Sequence, residues 1–334
     1  MATYNGARYI GAQLNSIADQ TRQPDEVIIG DDRSSDETVA IVGEFSRNTR
    51  LPIRMQINQE RLRTTGNFEQ ILSRCTGDII VFSDQDDLWR RDKLQKIEDA
   101  FLEHPKAEYV FSNGSLIDGV GQRIKGSLWD RALFWSEEQA LYQAGHGSRV
   151  LLRHNVVTGA AMAVRRSAVG MALPIPAGWI HDYWLAWVLE VLSPGVLIDE
   201  PLISYRIHAA QQTGLYQFSI SKMMATIHSH DERYCRAEAE SLRRLADQLE
   251  RINASAQLVE GVREKIMFYE RRADMRRHPW SAPAQILRCL WTGEYRRFTP
   301  RFRYALPAIP LDAAASALSL IAGRKKRRQE SMRT

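Results

Sequence analysis

The 334-residue chain is 44% hydrophobic and 25% charged, a globular balance that excludes wholesale disorder, and 20 glycines with 12 prolines exclude a collagen-like or low-complexity chain. Its three cysteines, Cys75, Cys235 and Cys289, stand far apart with no CxxC pair, which excludes a disulfide scaffold or a cysteine zinc site and predicts a reducing compartment. The net charge of +5 is uneven: residues 281–334 hold eleven Lys/Arg against three Asp/Glu, whereas the other 280 residues hold 34 against 37. A slightly acidic body with a basic tail predicts that the tail meets a polyanion.

No basic stretch followed by an apolar run opens the chain, so no signal peptide is predicted. Ile10, Leu14 and Ile17 recur at i, i+4 and i+7, one face of a helix. Glu26 to Gly30 reads as a short buried strand ending at Asp31-Asp32. Ser34 and Glu37 predict a capping box for the next helix, with Val39, Val42 and Phe45 on its apolar face. Asp78 to Phe82 is a second strand, ending at Ser83-Asp84-Gln85-Asp86-Asp87; Leu94, Ile97 and Phe101 mark the helix after it, and Tyr109 to Phe111 a third strand. Alternating strands and helices predict an α/β sheet, in which ligands bind beyond the carboxyl ends of the strands. Both acidic clusters lie there.

From about Ser219 to Arg277 the pattern becomes long amphipathic helix, with Leu242, Leu245, Leu249 and Ile252 on one stripe. A break is predicted near Asn253-Ala254-Ser255, and Val262, Ile266 and Tyr269 continue the stripe beyond it. Trp291, Tyr295, Phe298, Phe302 and Tyr304 then interleave with five arginines. Residues 305–323 are apolar but carry Asp312 and two prolines, which suits an interfacial helix better than a spanning one. The run Arg324-Lys325-Lys326-Arg327-Arg328 would lie against anionic headgroups.

Several side chains could carry chemistry. Carboxylates with the spacing of Asp84 and Asp86 can hold one hard divalent cation while diphosphate oxygens complete its shell, or they can form a solvated helix-start cluster. Asp32 could accept from a nucleobase or ribose, or close a turn. Asp182, before the aromatic run Tyr183, Trp184 and Trp187, is either a general base or a helix cap, and an aromatic ring there could stack on a sugar face. Arg206 could hold a phosphate, and His208 is a lone histidine. No GxGxxG fingerprint, Walker loop, GxSxG elbow or HExxH motif occurs, which argues against dinucleotide oxidoreductases, P-loop ATPases, α/β-hydrolases and zinc proteases.

In order and spacing these segments resemble family 2 glycosyltransferases. The stretch Met1 to Gly6 looks like the opening loop of that family, and Gly30 to Asp36 like its second-strand motif. Ser83 to Trp89 followed by Lys93-Leu94, Asn155 to Ala160, His181 to Trp184 and Tyr205 to His208 are similar to motifs of a bacterial rhamnosyltransferase-like branch. The resemblance covers roughly residues 1–214. It implies a GT-A fold over 1–214, that is, a Rossmann-like mixed sheet flanked by helices; the periodicity and charge beyond it predict a helical extension over 215–280 and a membrane-associating tail over 281–334. The resemblance further implies an inverting transfer from a nucleotide-diphosphate sugar with Mg²⁺ or Mn²⁺. Thr3, Tyr4 and Asp32 would line the base and ribose pocket. Asp84 and Asp86 would face ribose and metal. Thr158 and Gly159, with Trp184, would lie on the acceptor side. Asp182 would be the base, and Arg206 and His208 would approach the diphosphate. The family has a buried strand before Thr3, so the resemblance implies that strand one is missing here.

The combined expectation is a glycosyltransferase using a dTDP- or UDP-sugar, with a lean to rhamnose or another hexose. A lipid-linked glycan or a growing surface polysaccharide would be the acceptor. The enzyme would be cytoplasmic and peripheral on the inner face of the plasma membrane, touching its anionic surface through the tail. A non-catalytic nucleotide-sugar or glycan-binding module is the alternative. No helix-turn-helix or RNA-binding signature occurs, so no nucleic-acid partner is expected.

Overall fold

Apolar runs become strands and 3.6-residue stripes become the helices that cover them. The structure, a computed structural model, describes residues 1–208, 231–300, 312–314 and 316. In chain order it begins β1 (Ala2–Thr3), α1 (Ile10–Ala18), β2 (Val27–Asp31), α2 (Thr38–Asn48), β3 (Ile53–Ile57), α3 (Arg63–Leu72), β4 (Ile79–Val81) and β5 (Leu88–Trp89). There follow α4 (Lys93–Glu103), β6 (Tyr109–Ile117), β7 (Arg123–Ser127), the short helices α5 (Leu128–Arg131), α6 (Ser136–Gln143) and α7 (Gly147–Leu151), and a 3₁₀ turn at Gly159–Ala161. Strand β8 (Met162–Arg165), α8 (Arg166–Val169), α9 (His181–Leu192) and β9 (Val196–Arg206) complete the α/β region.

The sheet is built in two pieces. Strands β1, β2 and β3 pair in parallel, with Ala2 opposite Gly30 and Val27 opposite Ile53. The second piece runs β4-β8-β6-β9-β5, with β7 on β6; β6 and β9 are parallel and the β4–β8, β6–β8 and β5–β9 pairs antiparallel. The Ala2 amide donates to the Ser83 carbonyl at 3.4 Å and bridges the two pieces. This is the expected mixed sheet flanked by helices. The position of the first strand, expected to be empty, is held in part by the two residues of β1.

Strand β2 is buried along all five residues, which is why its sequence reads as one apolar run. Strand β6 runs to Ile117, well past the predicted Phe111, because β9 supplies ladder partners as far as Arg206. The predicted capping box of α2 does not form. Ser34 Oγ instead donates to Asp31 Oδ2 at 2.6 Å, and the helix starts only at Thr38, after an uncapped Glu37.

Beyond the α/β region come α10 (Glu232–Arg251), α11 (Ala256–Arg277), α12 (Ala282–Trp291) and α13 (Glu294–Phe298). The described residues cluster into two compact units; Leu151–His154 and the residues from Asp231 onward make the second. The break between α10 and α11 falls where predicted, with Asn253 in the left-handed region at φ 56°. Cys235, Ala239, Leu242, Leu245 and Leu249 are buried on α10, as are Val259, Val262 and Phe268 on α11. A further core cluster joins Phe268, Met275, Ala282, Cys289, Tyr295 and Phe298. Tyr295 and Phe298 are thus core side chains, not the headgroup contacts the aromatic tail suggested. Asp312 is buried and accepts from Arg272 Nε at 2.9 Å, Arg276 at 2.8 Å and the Tyr295 hydroxyl at 2.9 Å, which accounts for a carboxylate in an apolar stretch. The predicted interfacial helix otherwise lies outside the described residues, as do the basic run at 324–328 and residues 215–230.

Candidate active site

The acidic motif occupies the turn between β4 and β5. Antiparallel pairing of Leu88 with Ser204 brings the end of β9 to this turn. The Arg206 amide donates to Asp87 Oδ1 at 2.9 Å, and the Arg206 side chain donates to the Asp86 carbonyl at 2.7 Å and the Asp118 carbonyl at 3.1 Å. His208 Nε2 lies 2.7 Å from Asp86 Oδ2. Tyr9 packs beneath both, its ring 4.6 Å from the Arg206 guanidinium and 4.9 Å from the His208 ring. Arg206 and His208 thus lie against the acidic motif, which the sequence did not anticipate. The buried Arg206 side chain spends two of its donors on loop carbonyls.

Electrostatics in the turn are strained by like charge. Burial, then the charges of Asp86 and Asp182, push Asp84 up to about 7. Asp87 is pushed well up by burial and then by Asp86 and Asp84, and its Oδ2 is buried without a hydrogen-bond partner. The Met1 ammonium and Lys93 oppose that charge; Lys93 is fully buried, with its ammonium donating to the Ala160 carbonyl at 2.7 Å and lying 4.1 Å from the Trp89 ring centre. Burial lowers Lys93 to about 7 against the pull of Asp87 and Asp84. No set of three or more His, Cys, Asp or Glu side chains among the described residues is arranged to hold a metal ion. The donor chemistry suits a cation whose shell is shared: a crowded carboxylate group with one orphaned oxygen gains from positive charge, and Asp84 and Asp86 are half-buried whereas Asp87 is buried.

At the end of β1 stand Thr3 and Tyr4. Thr3 Oγ1 donates to Asp31 Oδ2 at 2.7 Å, and Asp31 also accepts from the Ser34 amide, so Asp31 is the turn-closing member of its pair. Asp32 grips the loop before α3, accepting from Asn58 Nδ2 at 3.1 Å and the amides of Leu62 and Arg63 at 2.6 and 2.8 Å. Gln85 clasps the Tyr4 backbone in both directions, 2.9 Å to its amide and 3.0 Å from its carbonyl. A side chain on Gly6 would meet Gln85 Oε1 at 2.2 Å, so the clasp needs glycine there. The Arg61 guanidinium lies 3.8 Å from the Tyr4 ring centre. The sequence reading missed Gln85 and Arg61. Gln85 had a signal, since it sits inside the acidic motif; Arg61 had none.

The opposite wall is the 3₁₀ turn after Thr158. Asp182, in the first turn of α9, accepts from the Gly159 amide at 2.8 Å, Asn155 Nδ2 at 3.1 Å and its neighbour's amide at 2.6 Å. The helix N-terminus favours a charged carboxylate there. A Cβ on Gly159 would fall 2.6 Å from His181 Nε2. His181 stacks on Phe68 at 4.1 Å and has no hydrogen-bond partner on either ring nitrogen, and burial lowers its pKa and keeps it neutral. Trp184 corrects an expectation: it is fully buried, its indole donates to the Ala172 carbonyl at 2.7 Å, and it packs edge-on to Trp179. It belongs to the core and presents no ring to an acceptor. Tyr205, unremarked as a single residue in the sequence, is pushed up by burial and then by the charges of Asp87, Asp84, Asp86 and Asp182, so all four carboxylates act on one phenol.

With this geometry in hand, the chain can be compared with known proteins. The family described as Glycosyl transferase family 2 matches residues 1–170. The dTDP-rhamnosyl transferase RfbG of Shigella flexneri is 35% identical over 220 residues, covering 64% of this chain and 73% of that protein. The chain spans only part of the curated relatives it matches, from 31% to 73% of their length. Among solved structures, S. aureus TarS 1-349 in complex with UDP-GlcNAc has a TM-score of 0.55 at 16% identity, over 82% of this chain and 71% of that one. The mannosyltransferase PcManGT from Pyrobaculum calidifontis, in complex with GDP-Man and Mn²⁺, has a TM-score of 0.50 at 18% identity, over 96% and 79%.

Proposed function

The chain belongs to glycosyl transferase family 2 and has its GT-A fold, and from that premise we propose that it is an inverting glycosyltransferase acting from a nucleotide-diphosphate sugar. The observation that carries the reading is the meeting of the acidic turn and the first turn of α9 at Gly159-Ala160, where Asp182 accepts from the Gly159 amide and Lys93, which faces Asp84 and Asp87, donates to the Ala160 carbonyl. A non-catalytic module has no need for four like charges held together. In the proposed reaction the acceptor hydroxyl attacks the anomeric carbon, Asp182 takes its proton, and the bond to the diphosphate breaks on the opposite face. Thr3, Tyr4 and Asp32 bound the base and ribose side, with Asp84 toward ribose. Thr158 and Gly159 form the acceptor floor, where absence of a side chain lets a sugar approach backbone. Arg206 and His208 order the Asp86 turn against the diphosphate.

A divalent cation, Mg²⁺ or Mn²⁺, would be held by Asp86 with Asp84 and would neutralise charge on the departing diphosphate. The likeness to RfbG supports a dTDP-sugar and rhamnose, and a UDP-sugar is the second donor class. A lipid-linked glycan or growing surface polysaccharide is the acceptor we favour. The basic C-terminal segment supports a peripheral site on the inner face of the plasma membrane; no helix among the described residues is long and apolar enough to cross one. Calorimetric titration with UDP and dTDP, each with Mn²⁺ and with EDTA, tests the reading. We expect binding that EDTA weakens at least tenfold, with the preferred base naming the donor class. A folded protein that binds neither nucleotide would leave the non-catalytic module.

A further inference from the structure

The second unit carries a surface that the reaction does not use. Helix α12 is apolar on two sides. Ala282 and Cys289 are buried in the cluster around Phe268, with Ile286 packed against it. The other side bears Leu287 and Trp291, exposed by 66% and 93%, with Leu290 beside them, and Trp280, 77% exposed, stands in the 3₁₀ turn Pro279–Ser281 that leads into the helix. Two tryptophans and a leucine exposed within twelve residues are far from scattered surface apolars, and such a cluster marks an interaction site. Residues 276–300 hold five arginines against one acidic residue, Glu294, and Glu294 is buried against Arg271. Of those arginines, Arg277, Arg288, Arg296 and Arg297 are exposed.

We propose that Leu287 and Trp291 of α12, with Trp280 of the turn before it, are the element that enters the headgroup layer of an anionic bilayer; this deepens the membrane location argued above and rests on it. Indole rings suit the boundary between acyl chains and headgroups, where one edge is apolar and the other wet. Arginines flanking the face pair with lipid phosphate, and their sign selects anionic over neutral lipid. A protein partner would need acidic complementarity around an apolar pocket; the bilayer meets both demands with a single chemistry. The ten residues of α12 are too few to span, so the helix lies in the plane of the interface.

The test uses the full chain in flotation with vesicles of phosphatidylcholine alone and of phosphatidylcholine with about one-third phosphatidylglycerol. The wild-type protein should float with the anionic vesicles and shift its tryptophan emission to the blue. Trp280→Ser with Trp291→Ser should lower that partition by about tenfold or more, with unchanged circular dichroism. Arg288→Glu should reduce binding to anionic vesicles and leave any binding to neutral ones alone. Wild-type protein that floats with neither vesicle, or a double variant that floats as well as wild type, overturns the proposal. So does a wild-type dimer that the double substitution converts to monomer without vesicle binding. Nucleotide binding measured without vesicles reports separately on the active-site reading, so failure of one is distinguishable from failure of the other.

Discussion

Asp182 receives three hydrogen bonds on two oxygens from Asn155, Gly159 and Tyr183, which locks its rotamer in the turn that opens α9. A base needs that fixed geometry more than it needs any one neighbour. Asp182→Asn keeps the shape and removes the basicity, so turnover should fall by about a thousandfold while nucleotide affinity changes less than twofold. Single-turnover transfer and calorimetry on the same variant check the two halves. Lys93 is an internal counter-charge of the acidic turn and holds the Ala160 carbonyl. Lys93→Met leaves the buried Ala160 carbonyl without its donor, and chemical denaturation should show a loss of about 2 kcal/mol. Asp86 and Asp182 were legible in the sequence because motif spacing marks them. Lys93 was legible as part of a motif, without its task, because only the fold brings position 160 onto its ammonium.

The helices carry a second lesson, in α11. Burial lowers Lys265 to about 8, against the opposing pull of Glu238. Above pH 10.5 the amine is neutral folded or unfolded; as pH falls through 10.5 toward 8 the unfolded chain takes up its proton first, so folding loses stability across that window. The loss amounts to about 3 kcal/mol for a shift of this size. Thermal melts from pH 7 to 10.5 should show wild-type stability rising with pH above 8, and Lys265→Met should flatten that rise. The stripe on α10 and the break at Asn253 were readable from periodicity and turn chemistry. Tyr295 and Phe298 were misread because an aromatic beside arginine looks interfacial until a partner helix is known to cover it.

At the scale of the molecule, the two-piece sheet predicts uneven protection. Strand β6 is paired by β8 on one side and β9 on the other, and nearly all of it is buried; β3 is an edge strand with alternate residues exposed. Amide hydrogen exchange should be slowest at Val110, Phe111 and Ala163, and faster by at least about a hundredfold in β3. Comparable protection in both would contradict the separation of the sheet into two pieces.

By itself the sequence determined the α/β class, the placement of both acidic clusters at strand ends and the family motifs in their order, because short-range periodicity and spacing are properties of a few neighbouring residues. It also carried the uneven charge. Only the tertiary structure decided which member of Asp31-Asp32 closes a turn and which grips the next loop, and that Ser34 serves Asp31 and not a helix cap. It also put Trp184 in the core and Gln85 on the backbone of Tyr4. Apart from the local Ser34–Asp31 bond, those outcomes depend on a partner about thirty or more positions away, or on burial, and which distant groups meet is set by packing rather than by local pattern.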